Sequence, residues 1–219
     1  MTDLALVRLL QLVSPALPIG AYAYSDGLET AIGRGWVADE AAVEAWVGGR
    51  LRACLPWTDL AVLARMRAAD AAGLRTWAAR LRAMRDSAET RAADRRLGHA
   101  LARLLADLGV AAAAPWRTDD DAALAVGFAL AGAAWGLGED ALLTGYAWAW
   151  CEAQVAVAVK LVPLGQTAGQ RVLAALGAAI PAVVATARAA GDDDLGTCAP
   201  GAALAASWHE TDEVRLFRS

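Results

Sequence analysis

The side chains that enzymes most often use for catalysis are few and scattered in this sequence. The single lysine, Lys160, precedes a leucine, whereas the lysine of a phosphate-binding loop follows glycines and precedes serine or threonine. His209 and Glu210 begin like a zinc-protease helix, but Glu213 stands where the second histidine is required. The spacing therefore excludes a P-loop GTPase and a zinc protease of this type, and it predicts no catalytic residue.

The chain also lacks an obvious set of metal ligands. Cys54, Cys151 and Cys198 lie far apart and are odd in number, so they indicate neither a disulfide framework nor a C-x-x-C half-site. Free thiols favour a reducing compartment such as the cytoplasm. His99 and His209 are too few for a histidine cage within one chain, although a dimer could pair two copies. We predict no cofactor and no intrinsic metal site, with metal carriage by His209 and Cys198 as an open alternative.

Two polar patterns allow a structural and a functional interpretation. Ser25 beside Asp26 could form a nucleophile with a helper, but an N-terminal helix cap explains both residues better. A basic stripe of four side chains recurs every four residues opposite a leucine stripe. It could be a solvated face, a docking surface for an acidic partner, or the source of an arginine that enters a GTPase site. The stripe consists of Arg91, Arg95, His99 and Arg103.

Lys160 and two tyrosines are candidates for contacts with a partner. Lys160 is the only charged residue between Glu152 and Arg171, in a segment that otherwise reads as buried. It could satisfy carbonyl groups at a helix end or belong to a partner interface. Tyr22 and Tyr24 lie in a loop rich in proline and glycine, where they could be core aromatics or interface anchors.

Composition argues against two broad classes of function, nucleic-acid binding and membrane spanning. The formal net charge is −4, which disfavours nucleic-acid binding through a dominant positive field, although residues 65–103 carry ten arginines and only four acidic residues. The longest uncharged runs are interrupted by glycine and fall short of the roughly 20 apolar residues that a membrane span needs. With 58% hydrophobic residues, we expect a large exposed apolar patch when partners are absent.

Periodicity predicts an all-α, single-domain bundle of about ten helices. Apolar residues recur at helical spacing along most of the chain, and no strand hairpin or repeat is found. Asp39 is the expected cap of a helix that ends before Pro56, and separate helices are predicted over 167–179 and 181–190. The body would span residues 1–208, followed by a polar tail over 209–219 with no core to join.

Three segments resemble a known family, the urease accessory proteins called UreF. They are residues 17–29, LPIGAYAYSDGLE; residues 160–166, KLVPLGQ; and the tail, in which HET is followed by RLFRS. Residues 89–91, ETR, form a weaker fourth match. These segments follow the family's order and spacing from the first helix to the last residue.

The resemblance implies a cytoplasmic, all-helical, non-catalytic homodimer. It would bind the accessory protein UreD, also called UreH, and with it recruit the GTPase UreG to apo-urease for nickel insertion. Nickel and GTP would belong to the partners, and the tail would become ordered on binding UreD. The residues expected at partner surfaces are Tyr22, Tyr24, Ser25, Glu29, Arg91, Lys160, Gln166, His209, Glu210, Arg215, Leu216, Phe217, Arg218 and Ser219.

Overall fold

A computed structural model describes residues 2–197 and 199–218, and every regular element within them is helical. Short 3₁₀ turns at Ala21–Ala23, Leu55–Trp57, Ala111–Arg117 and Asp192–Asp194 lie between some of the helices. The predicted all-α bundle in a single domain is confirmed. The α-helices of the described residues are α1 (Asp3–Leu12), α2 (Leu28–Gly33), α3 (Glu40–Ala53), α4 (Asp59–Ala68), α5 (Ala71–Ala83), α6 (Ala88–Asp107), α7 (Leu124–Trp135), α8 (Glu139–Leu161), α9 (Gln166–Ala189) and α10 (Pro200–His209).

Helix α8 lies at the centre of the bundle. It packs against α1, α2, α3, α4, α7 and α9, and its buried side chains point in several directions around the helix. Gly145 allows α1 to approach closely, because a Cβ atom there would lie 2.7 Å from the Cδ1 atom of Leu9. A helix that is apolar nearly all round must be buried. The apolar composition of α8 therefore accounts for its central position.

Helix α9 is one helix, whereas the sequence analysis predicted two with a break before Pro181. Pro181 removes one helical hydrogen bond, but the helix continues through it. A buried stripe that includes Leu176, Ile180 and Val184 packs along α3 and α8 on both sides of the proline. The free energy gained by burying this stripe outweighs the loss of one helical hydrogen bond at Pro181. By length and composition α9 is apolar enough to cross a membrane, and in this structure one face of it packs against α3, α4 and α8.

The helix caps agree with the sequence at one position and disagree at another. The side chain of Asp39 accepts a hydrogen bond from the backbone of Ala42, as predicted for the start of α3. Ser25 does not cap α2, because that helix starts after Gly27 and has no side-chain cap. Asp26 and Gly27 both have positive φ, and Asp26 forms an ion pair with Arg50 instead. The ion pair between Asp26 and Arg50 therefore holds this turn in place of the predicted Ser25 cap.

Candidate functional site

Glu29, in the first turn of α2, binds the backbone of the tail. Its Oε1 atom accepts a hydrogen bond from the amide of Leu216 at 2.7 Å, and its Oε2 atom accepts one from Phe217 at 3.0 Å. Gly27 brings α2 against α10, since a Cβ atom there would lie 3.0 Å from the backbone nitrogen of Ala206. The close packing of these helices positions the carboxylate next to the tail.

His209, the last residue of α10, is fully buried between two carboxylates. Its Nε2 atom lies 3.0 Å from Oε2 of Glu29, and its Nδ1 atom lies 2.8 Å from Oε2 of Glu89. Polar groups that are buried must be hydrogen-bonded to offset the loss of water. The ring therefore links the end of α10 to both α2 and α6.

Glu89 holds two parts of the tail at the start of α6. Its Oε1 atom lies 3.1 Å from Nη1 of Arg215, and its backbone amide donates to Oε1 of Glu210 at 3.1 Å. Ser87 and Thr90 cap this helix reciprocally, which fixes its first turn. Negative charge is favourable at a helix N-terminus. We call Glu29, Glu89, His209 and residues 215–218 the tail clasp.

Lys160 stands beside the tail clasp at the end of α8. It is exposed, and its Nζ atom lies 5.6 Å from the ring centroid of Tyr22 and 5.7 Å from that of Phe217. Both distances are within the range of cation–π interactions. The backbone of Arg218 donates to the carbonyl of Ala23 at 2.8 Å. The loop, the lysine segment and the tail thus meet at one end of the molecule.

The tail packs differently from the expectation that it has no core to join. Phe217 is only 6% exposed and belongs to the hydrophobic core, while Leu216 is 70% exposed. The sequence predicts a polar tail with no core to join, because the residues that bury the aromatic ring are distant from it in the chain. The ordering of the tail by a partner stays a prediction.

The remaining predicted site residues divide into buried and exposed groups. Tyr24 and Ser25 are buried, Tyr22 is 66% exposed, and Gln166 is an exposed residue at the start of α9. Among the described residues, no hydrogen bond connects Gln166 to the tail clasp. Exposed Arg91 donates to the backbone of Arg85. Two candidates, Cys198 and Ser219, lie outside the described residues.

Two members of the basic stripe, Arg95 and His99, interact with the loop before α7. Arg95 forms an exposed ion pair with Asp120 at 3.2 Å, and Nε2 of His99 lies 2.8 Å from the carbonyl oxygen of Asp119. Arg103 is exposed. Arg95 and His99 therefore already have polar partners within the chain. The choice between a solvated face and a docking surface stays open for this stripe.

Sequence reasoning missed a buried charged cluster centred on Arg85. The guanidinium donates to Asp59 and Asp94 at 2.7 to 2.9 Å, and the hydroxyl of Tyr146 donates to Asp59 at 2.6 Å. Burial alone would raise the pKa of Asp59, but the charge and hydrogen bonds of Arg85, with those of Tyr146 and Thr58, lower it to about 2. Burial raises the pKa of Asp94.

This cluster lines a cavity of about 260 Å³ that also borders the loop of the first matched segment. Asp59 is the first residue of α4, which in sequence is typical of an acidic residue at a helix start. Asp94 has arginines close to it in sequence, which is typical of a solvated helix face. Only the packing of α4, α6 and α8 brings them together. The cluster joins α4, α6 and α8. Because each charged group is buried together with its partners, we assign the cluster a structural role.

No metal site is found in the part of the chain that the structure describes. Within residues 2–197 and 199–218, no three or more His, Cys, Asp or Glu side chains are arranged to hold an ion. Both ring nitrogens of His209 face carboxylate oxygens in the tail clasp. Burial raises the pKa of the Cys151 thiol to about 12, so the thiolate that binds metals is disfavoured there.

Comparison with known proteins identifies the relatives of this chain. A family model described as UreF matches residues 37–177. The chain is 47% identical to the urease accessory protein UreF of Alkalilimnicola ehrlichii over 220 residues, which cover 99% of this chain and 96% of that protein. It is 47% identical to UreF of Azoarcus sp. over 225 residues, 99% and 96% of the two chains. With UreF of Pseudomonas putida it shares 43% identity over 222 residues, 100% and 99% of the two chains.

The fold and these comparisons define the class as an all-helical accessory protein, a class named for assisting another enzyme and not for a reaction of its own. Within that class, the chain belongs to the UreF family of urease accessory proteins. The resemblance read from three segments is thereby confirmed across the length of the chain.

Proposed function

We propose that this chain is a non-catalytic scaffold that works with UreD, also called UreH, to recruit and regulate the GTPase UreG while nickel is inserted into apo-urease. The proposal includes a homodimer in the cytoplasm, with nickel and GTP held by the partners. The observation that carries it is the convergence of the matched segments. Lys160, Tyr22 and the tail meet in one place, although they come from distant parts of the sequence.

The exposed side chains at this convergence suit a protein interface. Tyr22 and Leu216 expose 66% and 70% of their surface, and Lys160 lies beside Tyr22. Aromatic side chains such as Tyr22 are enriched among the anchors of protein interfaces. The tail clasp supplies that support, because Glu29 and Glu89 fix the residues on either side of Leu216 by charged hydrogen bonds.

Helix α1 has a second exposed surface, which is apolar and therefore unfavourable in contact with water. It exposes Leu4, Val7 and Leu10 by 59% or more of their surface. Residues three positions apart are neighbours on a helix surface, and contiguous exposed apolar patches mark sites of contact with other proteins. This supports the proposal that the isolated chain is incomplete without partners.

The proposal is tested by reconstitution with purified components. The full-length chain is mixed with UreD and UreG, and the mixture is separated by size-exclusion chromatography at low and moderate salt. We expect all three proteins to elute together. A chain that is folded by circular dichroism but elutes alone at both salt concentrations would contradict the scaffold function. Light scattering of the isolated chain tests the homodimer.

Direct nickel carriage is separated from the scaffold function by calorimetry. Titration of Ni²⁺ into the isolated chain should give no tight binding, because His209 is buried between two carboxylates. Tight binding that disappears in the His209→Ala and Cys198→Ala variants would establish nickel carriage instead.

A further inference from the structure

An open groove lies between α6 and the tail, with a volume of about 580 Å³. Its walls come from two elements that the tail clasp holds together, so the groove exists only while the tail is bound to the body. Its lining residues are Glu89, Ala92, Arg96, Arg215, Phe217 and Arg218.

Positive charge is in excess in this groove. Glu89 is its only acidic residue, and that carboxylate already contacts His209 and Arg215. Among the described residues, no carboxylate lies within ion-pair distance of Arg96 or Arg218, and both arginines are exposed. Two guanidinium groups therefore face the solvent with their donors available, although the whole chain carries a net negative charge.

The chemistry of the lining favours carboxylate groups on an extended chain. A guanidinium presents a planar fork of donors that matches a carboxylate in a bidentate manner. Phe217 and Ala92 supply apolar surface between the arginines, which suits the stems of peptide side chains. A nucleic acid would need a wider positive field than this acidic chain offers.

We propose that the groove between α6 and the tail binds an acidic segment of a partner protein, with Arg96 and Arg218 holding its carboxylates. This inference rests on the proposed function, because the partner is taken to be a member of the urease assembly. It adds the chemistry of the contact. It also makes the tail clasp a requirement for binding, since Arg218 reaches the groove only through the bound tail.

The test uses the full-length chain and a fluorescein-labelled hexaglutamate peptide, followed by fluorescence anisotropy at low and moderate salt. We expect saturable binding that weakens with salt. The double variant Arg96→Glu and Arg218→Glu should bind at least about tenfold more weakly, because it loses the charged hydrogen bonds of both guanidinium groups. The matched control is Arg52→Glu, an exposed arginine on α3, which should change affinity by less than about twofold.

Competition identifies the class of ligand. Unlabelled hexaglutamate should displace the labelled peptide, whereas inorganic phosphate and single-stranded DNA of equal total charge should not. Displacement by phosphate alone would make the groove a free-anion site, and tighter binding of DNA would make it a nucleic-acid site. Either result overturns the proposal, as does equal peptide binding by the wild type and the double variant.

Size-exclusion chromatography separates failure of this inference from failure of the scaffold function. If wild type and double variant assemble equally with UreD and UreG, the groove proposal is wrong and the scaffold stands. If neither assembles but peptide binding still depends on Arg96 and Arg218, the scaffold is wrong and the groove stands. Both arginines are exposed, so thermal unfolding should show that the variant remains folded.

Discussion

The Nδ1 atom of His209 lies 2.8 Å from the Oε2 atom of Glu89, although 120 positions separate the two residues in the chain. The same imidazole contacts Glu29 from α2. One buried ring therefore joins the end of α10 to two helices, and the carboxylates on either side of it bind the tail. The tail is fixed through charged groups, with Phe217 as its apolar anchor.

Glu29→Ala should release the tail without unfolding the body. The change removes the acceptor for the amides of Leu216 and Phe217. Hydrogen bonds to charged groups contribute about 1.5–3 kcal/mol, so these amides should exchange about ten to a hundred times faster with deuterium. Mass spectrometry of exchange measures this directly. The control is Glu213→Ala, an exposed residue of the same tail. Unchanged exchange in the Glu29 variant would show that the tail does not depend on the clasp.

Local sequence patterns predicted the helices because helical periodicity is a local property. The stripes of α3 and α6 and the cap at Asp39 follow from residues three or four positions apart. The break at Pro181 was wrong because burial along α9 outweighs a single lost hydrogen bond. The resemblance pointed to Glu29, the segment of Glu89, and His209 separately. Their contact depends on the packing of α2, α6 and α10, which no local spacing encodes.

The charged cluster around Arg85 shows the same limit in the core. Asp59 and Asp94 look like surface residues in sequence, because charged groups are seldom buried unless they are paired. Their pairing partner lies 26 positions from Asp59 and nine from Asp94. A single sequence does not distinguish such a triad from three solvated charges.

Asp59→Asn should destabilise the fold by about 2 kcal/mol or more at neutral pH, because it leaves part of a buried ion pair uncompensated. The pKa of Asp59 is lowered to about 2, so its stabilising effect is complete above the ordinary carboxyl pKa and is lost as pH falls towards 2. The difference from wild type should therefore shrink between about pH 4 and pH 2. Urea unfolding across this range measures it.

Asp107→Asn is the control for this experiment, since Asp107 is exposed at the end of α6. Its unfolding free energy should stay within about 0.5 kcal/mol of wild type. A pH-independent difference for Asp59→Asn would contradict the assignment of an ionised, paired carboxylate.

Gly98→Ala should destabilise the packing of α6 on the segment before α7. A Cβ atom at this position would lie 2.5 Å from the backbone nitrogen of Ala123, so the backbone must shift. Overpacking of this kind costs about 1–3 kcal/mol. Gly49→Ala is the matched control, because it is an exposed glycine of α3 with open space beside it, and alanine should add roughly 0.5–1 kcal/mol of stability there. Chemical denaturation measures both, and equal effects would contradict the close approach.

Lys160→Met should weaken assembly with UreD and UreG more than it changes stability. Methionine keeps an apolar stem near Tyr22 and Phe217 but removes the exposed charge. The unfolding free energy should change by less than about 1 kcal/mol, since cation–π contacts at exposed sites contribute about 0.5–1 kcal/mol. Size-exclusion chromatography measures assembly, with Arg52→Met as the control. Full assembly by the Lys160 variant would remove this residue from the interface.

Arg91→Ala and Arg95→Ala should each leave GTP turnover by UreG within a few fold of the value with wild type. An arginine that enters a GTPase site contributes about 10³–10⁵ in rate, so its loss is unmistakable. In this chain Nη1 of Arg91 donates to the backbone of Arg85 at 2.9 Å, and Arg95 is paired with Asp120. Either side chain would have to leave its partner to reach a phosphate on another protein.

Phosphate release measures this turnover, and UreG alone supplies the baseline. A thousandfold fall for one variant, with assembly unchanged, would replace the scaffold by a GTPase-activating function. A fall that accompanies loss of the complex would instead report a docking role for that arginine, because turnover would then be limited by binding. Both arginines are exposed, and exposure is compatible with either role. Measuring GTP turnover and complex formation on the same samples therefore distinguishes an arginine that enters the GTPase site from one that only binds the partner.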